Sequence, residues 1–228
     1  MWRYRPSTLP VLFLILLSIT GSSVRAQGFE DIKLATSPTA GILPHGSYIF
    51  QGSLGPDNSL LFGTQVGFHG RLMLGASFGI QRFIGRGDIE INDRPGFSVR
   101  FRLIEEGFAG PAVAVGLDTQ GEDAFLEEDE RYERKSKGLF AVFSKNYLLL
   151  KNFTLHGGVN YTFEKRDEAG LNIFGGFALE VVTGMSLLLD YNAAIDDDDS
   201  EQVTSRTRGR GYLDAGVSNG LKFGAGSR

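Results

Sequence analysis

The stretch Arg71–Ile80, "RLMLGASFGI", places Leu72, Leu74, Ala76, Phe78 and Ile80 on one side of a two-residue period, and Met73, Gly75, Ser77 and Gly79 on the other. That period belongs to a β-strand, whose successive side chains point to opposite faces. The large apolar face has two ways to leave water: against a second sheet, or against hydrocarbon. Strands of globular sheets usually run about five or six residues, whereas a tilted strand needs about 9–11 to cross a bilayer. The stretch therefore points to the second choice, and the rest of the chain tests that reading.

Outward from it the same alternation recurs. Strands are expected near 46–54, 58–69, 71–84, 96–105, 111–119, 138–149, 153–165, 171–182, 185–195 and 210–218, with another beginning at Leu221. In 153–163, Phe153, Leu155, Val159, Tyr161 and Phe163 oppose Thr154, His156, Gly158, Asn160 and Thr162. Likewise Phe97, Val99, Phe101 and Leu103 oppose Ser98, Arg100 and Arg102, and Met185, Leu187, Leu189 and Tyr191 oppose Ser186, Asp190 and Asn192.

Connections alternate in length. "FHGR" (68–71), "EEGFAGP" (105–111), "LLKNF" (149–153), "VTGM" (182–185) and "SNG" (218–220) are tight, while "GRGDIEINDRPG", "QGEDAFLEEDERYERKSKG", "EKRDEAG" and "DDDDSEQVTSRTRGRG" are longer and polar. Short turns at one end and long loops at the other are the asymmetry of outer-membrane barrels, and a Greek-key sandwich has no reason to keep it. The fold class expected is all-β: an antiparallel up-and-down transmembrane β-barrel. Backbone groups in lipid must all be bonded, which forces such a sheet to close.

Residues 1–26 place Arg3 and Arg5 before an apolar core from Val11 to Ile19 and end on Val24-x-Ala26. This is the layout of a secretory signal peptide cleaved between Ala26 and Gln27, so the mature chain is expected in the outer membrane. Residues 27–45, with Pro38 and Pro44, read as a periplasmic extended lead-in, and 46–228 as the barrel. The 228 residues contain no cysteine and carry a net charge of −4. Those values exclude a disulfide scaffold and cysteine-ligated metal, and give no basic footprint for nucleic acid. Outer-membrane lipid, lipopolysaccharide and the barrel assembly machinery are the partners this placement implies.

Candidate chemistry lies on the polar face. Arg100, Arg102, Asp118, Glu164, Glu180, Asp190 and Asp214 are expected to line the lumen, either as a polar pore lining or a grip on an anionic or sugar ligand, or as ion pairs filling a narrow barrel. No catalytic, cofactor or metal residues are assigned. His156 is the one histidine positioned to act as a base, and spacing places no serine beside it. The run Asp196–Asp199 lacks the ligand spacing of a calcium loop. Glu127 with Arg131 and Glu130 with Arg134 have the i,i+4 spacing of a short helix.

The segments "PTAGILPHGSY" (38–48), "RLMLGASFG" (71–79), "RPGFSVRFRLIEE" (94–106), "RYERKSKGLFAVFSKNY" (131–147) and "LHGGVNY" (155–161) together resemble the YjbH-like outer-membrane proteins, a family associated with exopolysaccharide production or export. The resemblance implies a non-enzymatic barrel without cofactor and a polysaccharide as partner; it carries over no functional residue. Such barrels end on a strand with a terminal aromatic residue, whereas here the chain reads "LKFGAGSR" (221–228). Even strand numbers are the bacterial rule. The expectation is thus ten strands, or twelve with the last missing or altered at an incomplete C-terminus. The competing expectations are an outer-membrane lipid- or glycan-modifying enzyme using His156, and a soluble extracytoplasmic β-sheet binding domain.

Overall fold

The computed structural model describes residues 30–54, 59–83, 90–91, 94–126, 130–147, 153–164, 170–196 and 211–219. The expected signal peptide, the strand from Leu221, residues 197–199 of the acidic run and the Arg208 and Arg210 loop lie outside these residues.

Thirteen strands are described: β1 (Tyr48–Leu54), β2 (Leu60–His69), β3 (Leu72–Gln81), β4 (Glu90–Ile91), β5 (Gly96–Ile104), β6 (Ala112–Asp118), β7 (Glu122–Leu126), β8 (Arg131–Arg134), β9 (Gly138–Tyr147), β10 (Phe153–Tyr161), β11 (Leu171–Val182), β12 (Met185–Asn192) and β13 (Tyr212–Asn219). Ten of them form one curled half-barrel sheet in the order β1-β2-β3-β5-β6-β9-β10-β11-β12-β13, with β4 paired to β3 beside this path. The described residues contain no helix.

Neighbours pair as antiparallel ladders, for example Leu72 with Phe101 and Asp190 with Asp214. Between β9 and β10 one bridge, Tyr161 with Gly138, is parallel. The side-chain contacts there, Ser144 with His156 and Asn146 with Thr154, run in opposite senses along the two strands. Thr183 and Gly184 join β11 to β12; Gly184 takes φ of 84°, which its missing Cβ permits without strain.

The alternation has the outcome opposite to a soluble core. On the convex face Phe101, Ile173 and Tyr191 are 41%, 54% and 46% exposed, while their neighbours Arg102, Asn172 and Asp190 are 5%, 2% and 1% exposed. Polar side chains are thus the buried ones.

Arg102 and Asp190 are buried against the segment from residue 30 to residue 43. Its proline, Pro38, and lack of period keep it out of the sheet, and it lies against the concave face with Ile32, Leu34, Ala40, Ile42 and Leu43 buried. Each of the three buried apolar clusters includes part of it: Ala40 with Ala112, Ala114, Phe140, Val142 and Phe174; Ile32, Ile42 and Leu43 with Met73; and Leu34 with Ala178 and Leu188. Full burial of one such aliphatic side chain contributes about 1.5–3 kcal/mol. The lead-in read as extended from the sequence is here the filling of the half-barrel.

One local expectation is corrected. Glu127–Arg134 does not supply a helix at its described end, because Arg131–Arg134 is strand β8, paired to β7 through Arg131 with Leu126 and Tyr132 with Phe125. Phe125 and Tyr132 meet edge to face at 5.0 Å, a cross-strand pair that the i,i+4 charge spacing does not register.

Candidate functional site

The filling segment is a re-entrant hairpin. Its arms are joined by a Lys33–Pro38 bridge, and its tip is turned by the Leu34 N–H donating to the Ser37 carbonyl at 2.8 Å. Thr39 Oγ1 donates to the Asp31 carbonyl and accepts from the Gly41 N–H at 3.0 Å, which ties the returning arm to the entering one.

Both arms meet the short-turn end of the sheet. Glu30 pairs with Arg102, which also reaches Glu105 in the β5–β6 turn at 3.0 Å. On the returning side the Gly46 N–H donates to the Gly67 carbonyl at 2.8 Å, just before β1 begins. The tip, around Thr36 and Ser37, extends to Asp190 of β12 and Asp214 of β13.

The wall residues hold the hairpin largely through its backbone. Arg100 Nη1 donates to the carbonyls of Ile32 and Gly41 at 2.7 and 2.9 Å. Arg102 donates from Nε and Nη2 to the Ala40 carbonyl at 3.0 and 2.6 Å. Asp190 Oδ2 accepts from the N–H groups of Thr36 and Ser37 at 3.0 and 2.7 Å. Ser144 Oγ accepts from the Ala40 N–H at 2.8 Å. Donors on β5 and acceptors on β12 therefore match an extended chain lying between them.

A second element covers the long-loop end. The β7–β8 hairpin is fastened by Arg134, which donates to Glu122 at 2.8 Å and to both Asp214 oxygens at 3.0 Å while its guanidinium sits 4.2 Å over the Tyr212 ring. Asp214 also accepts from Thr36 Oγ1 at 3.3 Å, so one carboxylate joins hairpin tip and cover. Lys33 and Glu122 approach to 3.7 Å across the same junction.

The seven lumen candidates separate into groups. Arg100, Arg102 and Asp190 are buried against the hairpin, and Asp214 lies at its tip. Asp118 accepts from the Gln120 N–H at 3.1 Å and lines a cavity of about 20 Å³ with Arg100, Lys33 and Gln65. Glu164 stands beyond the end of β10 and accepts from the N–H groups of Tyr132 and Ser136 at 3.0 and 2.9 Å. Burial pushes its carboxyl above the ordinary value, and these N–H bonds oppose the rise. Glu180 accepts from the Gly184 N–H at 3.1 Å in the β11–β12 turn, away from the hairpin. A larger cavity of about 140 Å³ lies between the hairpin tip at Ala35 and Thr36, the cover at Glu122 and Arg134, and the ends of β1–β3.

Sequence spacing placed no serine beside His156, and the fold corrects this: Ser144 Oγ lies 2.7 Å from His156 Nδ1. The two sit on adjacent strands, a pairing that register alone decides. Ser144 Oγ also accepts the Ala40 N–H, and His156 Nε2 faces buried surroundings without a hydrogen-bond partner among the described residues. The described residues hold no group of three His, Cys, Asp or Glu side chains that suits a metal ion.

No family model matches this chain, and neither a curated protein nor a solved structure matches it.

Proposed function

We propose that this chain is a non-enzymatic outer-membrane β-barrel of up-and-down topology, closed in the bilayer, that serves the passage or export of polar molecules. The YjbH-like resemblance makes exopolysaccharide the candidate cargo. The observation that carries the reading is the inverted burial: a continuous convex face of large apolar side chains open to the surroundings, with arginine and aspartate enclosed behind it. Exposed apolar patches on soluble monomers rarely exceed a few hundred Å², whereas lipid covers such a face at no cost. Among the described residues no helix is long and apolar enough to cross a membrane, which leaves a strand-built barrel untouched.

Fractionation of cells expressing the full chain tests this. Recovery only with detergent, in the outer-membrane fraction, is the expected result; recovery in an aqueous wash favours a soluble β-sheet binding domain instead.

The Ser144–His156 pair is the observation on the side of an enzyme. In a serine hydrolase the hydroxyl must reach substrate and the base must be oriented by a third group. Here the hydroxyl is capped by Ala40 and Nε2 has no orienting acid among the described residues. The structural role is favoured, and an unchanged envelope lipid profile in His156→Ala is expected.

A further inference from the structure

We infer that residues 30–43 are a gate: the hairpin withdraws through the short-turn end and opens a polar passage lined by Arg100, Arg102, Asp118, Ser144 and Asp190. This rests on the membrane-barrel reading above and adds its regulation.

Topology is the first support. Glu30 and Gly46 both lie at the short-turn end, so the two described ends of the hairpin meet the sheet on the same side. Gly46, at φ of 73°, turns the chain where the returning arm joins β1, a conformation its missing Cβ permits without strain.

The nature of the attachment is the second. No ladder joins the hairpin to the sheet; its one bridge, Lys33 with Pro38, is internal. An apolar wall would leave the backbone groups of the hairpin unpaired in a buried place. The wall instead carries charged groups that recover hydration when the hairpin leaves. They would then face water as a lining suited to ions and polar solutes.

Imperfect fit is the third. Among the described residues Ser37 Oγ, Arg100 Nε, Gln65 Oε1 and His156 Nε2 are buried without a hydrogen-bond partner. Native interiors leave few such atoms, and each calls for an explanation. Cavities of about 20 and 140 Å³ flank the tip. An interface that must open can tolerate both; a fixed plug gains from neither.

The test uses the full chain, which has no cysteine of its own. Ala40→Cys with Ser144→Cys places a thiol pair across the contact where Ala40 N and Ser144 Oγ are 2.8 Å apart. Reconstituted in planar bilayers, the oxidised protein should be silent, and reduction should restore channel openings in potassium chloride. Equal conductance in both redox states overturns the gate, as does silence in both from protein shown by detergent-dependent extraction to be inserted. Protein that never inserts overturns the barrel reading itself, and the gate with it. Asp190→Ala supplies the converse without a disulfide: releasing the tip should raise the frequency of openings, and a frequency equal to the unaltered protein overturns the gate.

Discussion

The Asp190 carboxylate on β12 accepts the Ser37 N–H at 2.7 Å and the Thr36 N–H at 3.0 Å from a segment more than 150 residues earlier in the chain. A turn of backbone in a buried place must find acceptors, and this one finds them on the wall. Asp190→Ala leaves two N–H groups enclosed and unpaired. At about 1–3 kcal/mol for each unsatisfied buried group, the expected loss is about 2–6 kcal/mol. Denaturant unfolding in micelles measures it, and amide exchange at Thr36 and Ser37 should rise first. Asp190→Asn keeps an acceptor and should lose less than the alanine variant.

Arg102 makes the corresponding contact at the other end of the hairpin. Its fork reaches the Ala40 carbonyl, Glu30 and Glu105 together, a geometry that a lysine ammonium cannot copy. Arg102→Lys should therefore behave nearly as badly as Arg102→Ala, which leaves the buried Ala40 carbonyl unpaired at a cost of about 1–3 kcal/mol. Glu30→Gln should cost far less, since Glu30 is half open to solvent and its pairing is screened. A double-mutant cycle between positions 30 and 102 checks the ordering: a lysine variant as stable as the unaltered protein would remove the fork from the account.

Much of this wall was legible in the sequence, because a two-residue period needs no tertiary information. Phe97 to Leu103 alternate in burial as their letters alternate in polarity, and Met185 to Tyr191 do so except at Leu188, an apolar residue buried on the polar face. The ends of β11, Leu171 and Val182, coincide with the run read from sequence. The filling of the concave face was not legible. Residues 30–43 lack a period, so the pattern that marks strands and helices does not register a buried hairpin. A usable signal was present in the run from Thr39 to Leu43, which is uncharged and apolar between two prolines. The strand β8 was missed for a related reason: its i,i+4 charges describe a helix in isolation, whereas Tyr132 packing on Phe125 and Arg134 bonding Asp214 decide for a hairpin in the fold. Ser144 beside His156 depends on which strands are neighbours and in what register, which no single strand encodes.

Glu106, in the β5–β6 turn, gives a pH dependence outside the spanning strands. Burial alone would raise its carboxyl, but the backbone and side-chain N–H groups of Asn146 and the Lys145 ammonium outweigh burial and hold it below the ordinary glutamate value of 4.5. A carboxyl whose folded value lies below its unfolded one lends stability above the unfolded value, and that stability is lost as pH falls through the folded one. Acidification below the usual carboxylate range should thus loosen the contact between this turn and the end of β9. Exchange of the Asn146 amide, bonded to Glu106 Oε1 at 2.9 Å, reports it. Glu106→Gln should exchange faster at neutral pH and show little further change on acidification; protection in that variant matching the unaltered protein at neutral pH would disprove the assignment.

Val99 puts the membrane reading at risk in one substitution. It stands midway along β5 on the convex face, between Leu74 of β3 and Leu117 of β6, and is 40% exposed. In water an arginine at such a site is nearly neutral, within about 0.5 kcal/mol for an ordinary surface change. In hydrocarbon the same arginine costs about 2–4 kcal/mol near the bilayer midplane and less toward the interfaces. Val99→Arg should therefore destabilise the protein in phospholipid vesicles by that larger amount, while Ile91→Arg, on the short strand at the long-loop margin, should cost less. Denaturant unfolding from vesicles measures both. Equal and negligible effects at the two positions would mean that water, and not lipid, covers the apolar face, and the outer-membrane placement would fall with it.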